Sequence, residues 1–497
     1  MRATREEMAA AMDRASKPRQ LRRFEAAKAS RLTASWTTTS EHINRHLYGD
    51  LRALRARARD LTLNNDYARK FLGMVRNNVV GANGITCQVQ ALTASGKIDQ
   101  RDSTVLENAF WDWGRRGNCE VSGRLSWIDV QNLVMETIAR DGEVIVREVT
   151  GRGKYAYQLQ LIDVDLLDET FNATAPNGNK VRMGVEYDAF GAMVALHLTN
   201  ADAADPTAYS TQYGRRTRVA AEECRLLFVS QHVGQLRGVP WMHTAMLRMH
   251  QLGGFEESAV VAARAGAAKM GFYIKGENAT QPNAVAGETD ENNNVVDSVE
   301  PGMLEELPYG WDFKSHDPQY PHAHYGDFVR ACLRGMAAGL GVSYTGLAND
   351  LENVNYSSIR AGVLDEREVW KTLQRWLIEN LCDWVYSRWL WHTLSYTAHL
   401  GPLPIDRYDK YNAPVFQGRR WDWVDPEKDV NAQIIAIDKG LKSYSQVIRE
   451  MGRDPTEVWL ELAADKKAMQ EAGINPGAAK AALSASGDPN ADPKADR

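Results

Sequence analysis

Residues 327–362 read DFVRACLRGMAAGLGVSYTGLANDLENVNYSSIRAG, and three kinds of local structure follow one another in them. Tyr325 to Leu340 has helical character. Glycines then crowd between Gly335 and Gly346, but without the spacing of a dinucleotide fingerprint and without Gly-Lys-Ser/Thr, so a P-loop is excluded. A helix end explains glycine there on conformational grounds. Next come Asn349, Asp350, Glu352, Asn353, Asn355 and Tyr356, polar or acidic with no Lys or Arg among them. From Ser358 to Trp391 the period becomes that of a long amphipathic helix, its apolar side formed by Val363, Trp370, Leu373, Trp376, Leu377, Leu381, Trp384 and Val385. Five tryptophans in that one segment predict a large packing face.

Working outward, Trp241 to Met270 is rich in Ala and Met and is expected as one long helix. Its small residues would let neighbouring helices approach closely. Between this helix and the next, Gly276 to Gly310 holds eight acidic residues and no Lys or Arg, which predicts an exposed acidic excursion. Beyond the tryptophan-rich segment, Asp425-Pro426, Ser443 with Gln446, and Asp454-Pro455-Thr456-Glu457 are three helix-start signatures. They predict a small helical domain, followed by an Ala, Gly, Pro, Asp and Lys tail from Ile474. Upstream, residues 105–240 alternate helix and strand patterns. Ser126 is a candidate N-cap for Trp127 to Arg140, Asp141-Gly142 reads as a hairpin-type turn, and Glu143 to Val149 alternates as a strand. The class is α+β.

Composition limits the rest. The 497 residues carry a net charge of −5, with 44% hydrophobic and 25% charged residues, which is ordinary globular usage. That length predicts roughly three domains. Cys87, Cys119, Cys224, Cys332 and Cys382 are odd in number and scattered, so neither a disulfide framework nor zinc-ribbon spacing is present. The charged start is unlike a secretory signal, and the longest uncharged runs are broken by polar residues or Pro. A soluble intracellular protein is expected. Charge is uneven, however. Residues 1–76 hold 17 Lys/Arg against 8 Asp/Glu, a balance of +9, while the remainder is at −14. Within this arm Leu51, Leu54, Ala58 and Leu61 recur at helical spacing, and Arg52, Arg55 and Arg59 are read as a basic outer stripe.

Residues suited to chemistry are sparse. His316, Asp317, His322, His324 and Asp327 form the densest cluster, but Pro318 and Pro321 interrupt it, so a turn before a helix is the better reading. Asp163, Asp165, Asp168 and Glu169 resemble paired acidic metal ligands, yet acids at a strand end are commoner. His243 and His250 share a helix face without a partner, and no Gly-x-Ser-x-Gly elbow occurs. No active site, metal site or cofactor is expected.

Several segments, taken in order, resemble the lambda-type family of tailed-phage portal proteins. They are residues 51–85 (LRALRARARDLTLNNDYARKFLGMVRNNVVGANGI), DGEVIVREV from Asp141, LQLIDVDLLD from Leu159 and GVEYDAFGAMVALHL from Gly184. GQLRGVPWMHTAM from Gly234, VEPGMLEELPYGWDF from Val299, the opening stretch itself and WDWVDPEKDVNAQ from Trp421 complete the series. The resemblance implies a ring subunit with an α/β wing, two-helix stem, clip, tunnel loop with a long Trp-rich helix, and helical crown. Projected here, residues 1–44 are a basic arm, 45–240 the wing, 241–270 a stem helix and 271–321 the clip. Residues 322–341 are then the second stem helix, 342–357 the tunnel loop, 358–420 the long helix and wing return, 421–473 the crown and 474–497 a tail.

The implied role is a non-enzymatic ring, usually of about twelve subunits, at one capsid vertex of the virion and assembled in the bacterial host cytoplasm. Double-stranded DNA is packaged through it by the terminase and later ejected, without sequence specificity. Head-completion or tail proteins attach to it, and no membrane is involved. Asn349, Asp350, Glu352, Asn353, Asn355 and Tyr356 are then the candidate tunnel lining. Glu288, Asp290, Glu291 and Asp297 are the candidate clip surface for the terminase large subunit. Arg52, Arg55 and Arg59 are candidates for contact with the neighbouring subunit or the major capsid or scaffold protein. Two alternatives stand beside this: a metal-dependent nucleic-acid-processing enzyme centred on His316–Asp327, and a non-catalytic scaffold or adaptor that binds through the Trp-rich helix.

Overall fold

The computed structural model describes Arg31 and residues 34–199, 216–267, 271–275, 288–289, 295–296, 311–315, 324–352, 356–401, 403–421, 426–451 and 455–471. The chain divides into a short unit, Met1–His46, and a large one, Leu47–Arg497. Helix and sheet are mixed throughout the large unit, as an α+β class requires.

Helix α1 (Ile43–Asn64) leads through Asn65 into α2 (Asp66–Val75). The Asn65 side chain caps α2 by accepting from the N–H groups of Tyr67 and Ala68, and a π turn, Arg76–Val80, follows. Strand β1 (Thr86–Val89) comes next, then α3 (Gln100–Trp113) and α4 (Trp127–Asp141). Ser126 and Asp129 complete a capping box at the start of α4. The expected Asp141-Gly142 hairpin turn is corrected. Gly142 ends α4 in the left-handed conformation, φ 91°, and the chain then enters β2 (Val144–Thr150).

Strand β2 is the centre of an antiparallel three-stranded sheet between β3 (Tyr157–Ile162) and β9 (Cys224–Leu227). A second antiparallel sheet runs in simple order through β4 (Ala173–Thr174), β5 (Lys180–Arg182), β6 (Val185–Tyr187), β7 (Met193–Thr199) and β8 (Arg216–Ala220). Ile145 of β2 joins Val185, Leu196, Val219 and Cys224 in a small core of its own, so the two sheets share apolar contacts.

The helix expected from Trp241 is α5, Met246–Ala267, beginning five residues later. Trp241 donates its N–H to the Ala139 carbonyl at the end of α4, and the Pro240 carbonyl accepts from the His243 N–H. This tie to α4 makes a turn of residues 241–245. Strands β10 (Gly271–Lys275) and β13 (Trp311–Ser315) pair antiparallel, and the short β11 (Glu288–Thr289) and β12 (Val295–Val296) pair between them in sequence. Helix α6 (Tyr325–Leu340) follows, then the single turn α7 (Tyr344–Ala348).

The long helix is α8 (Tyr356–Leu377), a π turn (Ile378–Cys382) and α9 (Asp383–Tyr396). Its apolar face is largely internal: Trp370, Leu377, Leu381, Trp384, Val385 and Trp389 are buried and Trp376 is half-buried, while Trp391, off this face, is exposed. Trp389 lies 5.0 Å from Phe110 and 5.6 Å from Tyr386, ring centre to ring centre, while Phe110 stacks on Trp113 at 5.2 Å. The scaffold alternative, which needs that face for a partner, is corrected by this burial. Past the short helix α10 (Tyr408–Tyr411), strand β14 (Pro414–Gln417) returns to pair with β1, Thr86 opposite Gln417. Three helices close the described residues: α11 (Pro426–Asp438), α12 (Tyr444–Glu450) and α13 (Pro455–Glu471). Among the described residues no helix is long and apolar enough to cross a membrane.

Candidate functional site

Two glycines of the opening stretch, Gly335 and Gly339, serve helix packing, while Gly341 ends α6 in the left-handed conformation, φ 68°. A Cβ on Gly335 would fall 1.9 Å from Arg248 Nη1, and one on Gly339 would fall 2.9 Å from Thr244 Oγ1. Residues 335 and 339 are one helical turn apart, so α6 presents a bare strip against which Arg248 of α5 and Thr244 of the turn before it lie. Thr244 donates its hydroxyl to the Gly339 carbonyl at 3.0 Å.

Directly after this crossing the chain forms a fixed root for the polar loop. Ser343 caps α7 by accepting from the Gly346 N–H. Asn349 ends α7 in the left-handed conformation, φ 52°, and its Oδ1 accepts from Lys70 Nζ of α2 at 2.9 Å. Asp350 accepts from the Tyr344 hydroxyl at 2.5 Å and from the Glu352 N–H at 3.0 Å. Arg330, on α6, faces the same carboxylates, 3.6 Å from Asp350 and 3.5 Å from Glu352, with Asp327 at 3.8 Å. The Arg334 guanidinium lies over the Tyr344 ring at 5.4 Å. The Tyr344 hydroxyl, then the Glu352 N–H and the two arginines, hold the Asp350 carboxyl below its ordinary range.

This arrangement amends the sequence reading. The stretch has no Lys or Arg of its own, yet cations from α2 and α6 are folded against the loop root. Asn353 and Asn355 lie outside the described residues, and Tyr356 opens α8. Lys70, Arg330, Arg334 and Tyr344 were missed. The one signal for Arg330 was its position one turn after Asp327; nothing local links it to residues 350 and 352.

The basic stripe is corrected outright for two of its three members. Arg52 is exposed, but Arg55 is 2% exposed and Arg59 is only partly exposed. Arg55 donates to Asp165 at 2.6 Å and Glu143 at 3.3 Å. Arg59 grips both Asp141 oxygens at 2.9 Å and reaches Asp163 at 2.8 Å and Asp165 at 2.6 Å. Arg237 completes the network, donating to Glu143 at 2.6 Å and to the Met183 carbonyl at 2.7 Å, with both side chains fully buried. Burial alone would raise the Asp141 carboxyl, but hydrogen bonds from Arg140 and Arg59 outweigh it and hold it below the ordinary range. The acids at this strand end, Asp163, Asp165 and Glu169, are counter-ions to the arginines, and Asp168 pairs with Arg216 at 2.6 Å.

The remaining candidates are only partly described. Glu288 opens β11, while Asp290, Glu291 and Asp297 lie outside the described residues. So do His316, Asp317 and His322; His324 precedes α6 and Asp327 faces Arg330. Among the described residues no group of three or more His, Cys, Asp or Glu could hold a metal ion. A further buried carboxylate was missed altogether. Glu186 accepts from Arg218 at 2.8 and 3.1 Å, from Asn177 at 3.0 Å and from Asn179 at 3.1 Å, with His197 at 3.0 Å.

The sequence comparisons agree on one family. The model of the lambda family of phage portal proteins matches residues 29–374. The chain is 35% identical over 464 residues to the probable portal protein of Halomonas phage phiHAP-1, covering 92% of this chain and 88% of that one. It is 22% identical to the portal protein of Escherichia phage N15, covering 90% of each chain. With portal protein B of Escherichia phage lambda the identity is 21%, over 91% of this chain and 90% of that one. Among solved structures, a chain from the neck of an empty gene transfer agent particle aligns with 82% of this chain and 94% of its own length, at 13% identity and a TM-score of 0.43.

Proposed function

The chain belongs to the lambda family of phage portal proteins, and from that premise we propose that it closes into a ring of about twelve copies at one capsid vertex of the virion. Double-stranded DNA is driven through the ring by the terminase during packaging and leaves through it on ejection. Head-completion or tail proteins attach at the same vertex. The observation that carries this reading is the family match over 346 residues (29–374), extended by a relative at 35% identity along 92% of the chain.

In this reading residues 45–240 are the wing, α5 and α6 the stem, 271–321 the clip, 342–357 the tunnel loop, α8 and α9 the helix behind it, and α11 to α13 the crown. Glu288, Asp290, Glu291 and Asp297 would meet the terminase large subunit through an attraction that weakens with salt. Asn349, Asp350, Glu352, Asn353, Asn355 and Tyr356 would approach DNA. Arg52 keeps its candidacy for a neighbouring subunit or the capsid or scaffold protein; Arg55 and Arg59 do not, being committed within the chain. Assembly in the bacterial host cytoplasm completes the proposal.

Mass measurement with negative-stain imaging tests it. The expected particle is a ring with a central hole, of about twelve times the 55.6 kDa chain mass. A stable monomer under assembly-permissive conditions overturns it.

A further inference from the structure

We propose that Asp350 and Glu352 act as built-in stand-ins for nucleic-acid phosphate, occupying Arg330 so that this guanidinium is withheld from passing DNA. The inference rests on the reading that this loop approaches DNA. Three cations converge on the root, and each is engaged there. Lys70 holds the Asn349 amide oxygen, Arg334 covers the Tyr344 ring, and Arg330 faces both carboxylates and Asp327.

The geometry of Arg330 suits masking better than permanent anchorage. Its separations of 3.5–3.8 Å are longer than a tight charge-assisted hydrogen bond, and its side chain is 35% exposed. Compare Arg237, which is fully buried and donates to Glu143 at 2.6 Å. Released from these carboxylates, such a guanidinium would take a phosphate, for which Arg has a fitting donor fork. In a ring every copy would add such a contact, and each phosphate neutralised steepens the dependence of DNA affinity on salt. Tight binding of that kind would hold the duplex still. The carboxylates meet the need for passage by competing for the same guanidinium.

The test uses full-length chain, checked for ring formation, with a short mixed-sequence DNA duplex titrated by fluorescence anisotropy across a salt series. Against the unaltered chain, Asp350→Asn with Glu352→Gln is expected to bind about tenfold more tightly at low salt. The slope of log affinity against log salt should steepen by about 0.9 for each phosphate that a released Arg330 neutralises, hence by about one unit or more in a ring. Adding Arg330→Gln should return both to their starting values. Glu352→Gln alone, at a side chain 73% exposed, should move affinity the same way by less, and serves if the double variant does not assemble. The inference is overturned if assembled variants bind no more tightly, or if the gain survives Arg330→Gln. Failure of the ring reading shows separately, as an unaltered chain that never forms a ring.

Discussion

Gly142 and Gly238 meet backbone to backbone: a Cβ built on Gly238 would lie 2.1 Å from the Gly142 carbonyl oxygen, and one on Gly142 would lie 2.5 Å from the Val239 carbonyl carbon. Gly142 also has φ +91°, a conformation that side chains rarely adopt. The contact joins the end of α4 to the segment entering α5, and beside it the Gly238 N–H donates to Glu143 at 2.8 Å.

Because backbone atoms cannot swing aside, Gly238→Ala is expected to destabilise the protein by about 3 kcal/mol. Gly73→Ala, in α2 with nothing within 4 Å of the added carbon, should instead stabilise by roughly 0.5–1 kcal/mol through helix propensity. Urea unfolding of the two variants beside the unaltered chain measures both. Equal effects would mean that the close approach contributes nothing.

The arginine network gives the second expectation. Removing one member of a buried ion pair strands the other, at a cost of about 3–5 kcal/mol. Arg237→Met should cost about 3 kcal/mol, the low end, since Glu143 is fully buried but keeps its Arg55 contact at 3.3 Å. In a Glu143→Gln background the same change should cost less, because no charge is then left behind. A double-mutant cycle by chemical denaturation reads the difference, and strict additivity would contradict it.

How far these features could be read beforehand depended on their range. The long helices and the three helices after residue 425 were legible, because period, glycine and cap residues act within a few positions. The buried tryptophans were legible too, since Trp370, Leu377, Leu381 and Trp384 fall on one face and their size demands a core. Arg55 shows where the reading failed. It falls four residues after Leu51 and three before Ala58, on the very face that was read as buried, but its charge led to an outward assignment. The acids that reverse this, Glu143 and Asp165, are 88 and 110 residues away. Arg330 failed for the same reason: a polar stretch without cations borrows them from α2 and α6. Pairing β1 with β14, which brings Thr86 to Gln417, was equally beyond local pattern.

Acid should act first on carboxylates whose ionised form the fold favours, and Glu186 is the strongest instance. The Arg218 hydrogen bonds, then those from Asn177, Asn179 and His197, outweigh burial and hold its carboxyl far below the ordinary value of 4.5. The folded-state pKa is therefore depressed relative to the unfolded chain. Its contribution to stability is fully present above the unfolded value, near 4.3, and is lost as pH falls below that value and through the depressed one. Urea midpoints measured from pH 7 down to pH 3 should decline below about pH 4.5. Asp141, depressed by Arg140 and Arg59, adds to the same limb. Glu186→Gln removes the titrating group, so that variant should start less stable at pH 7 and lose less between pH 4.5 and pH 3. An unchanged decline in Glu186→Gln would assign the acid sensitivity to other carboxylates.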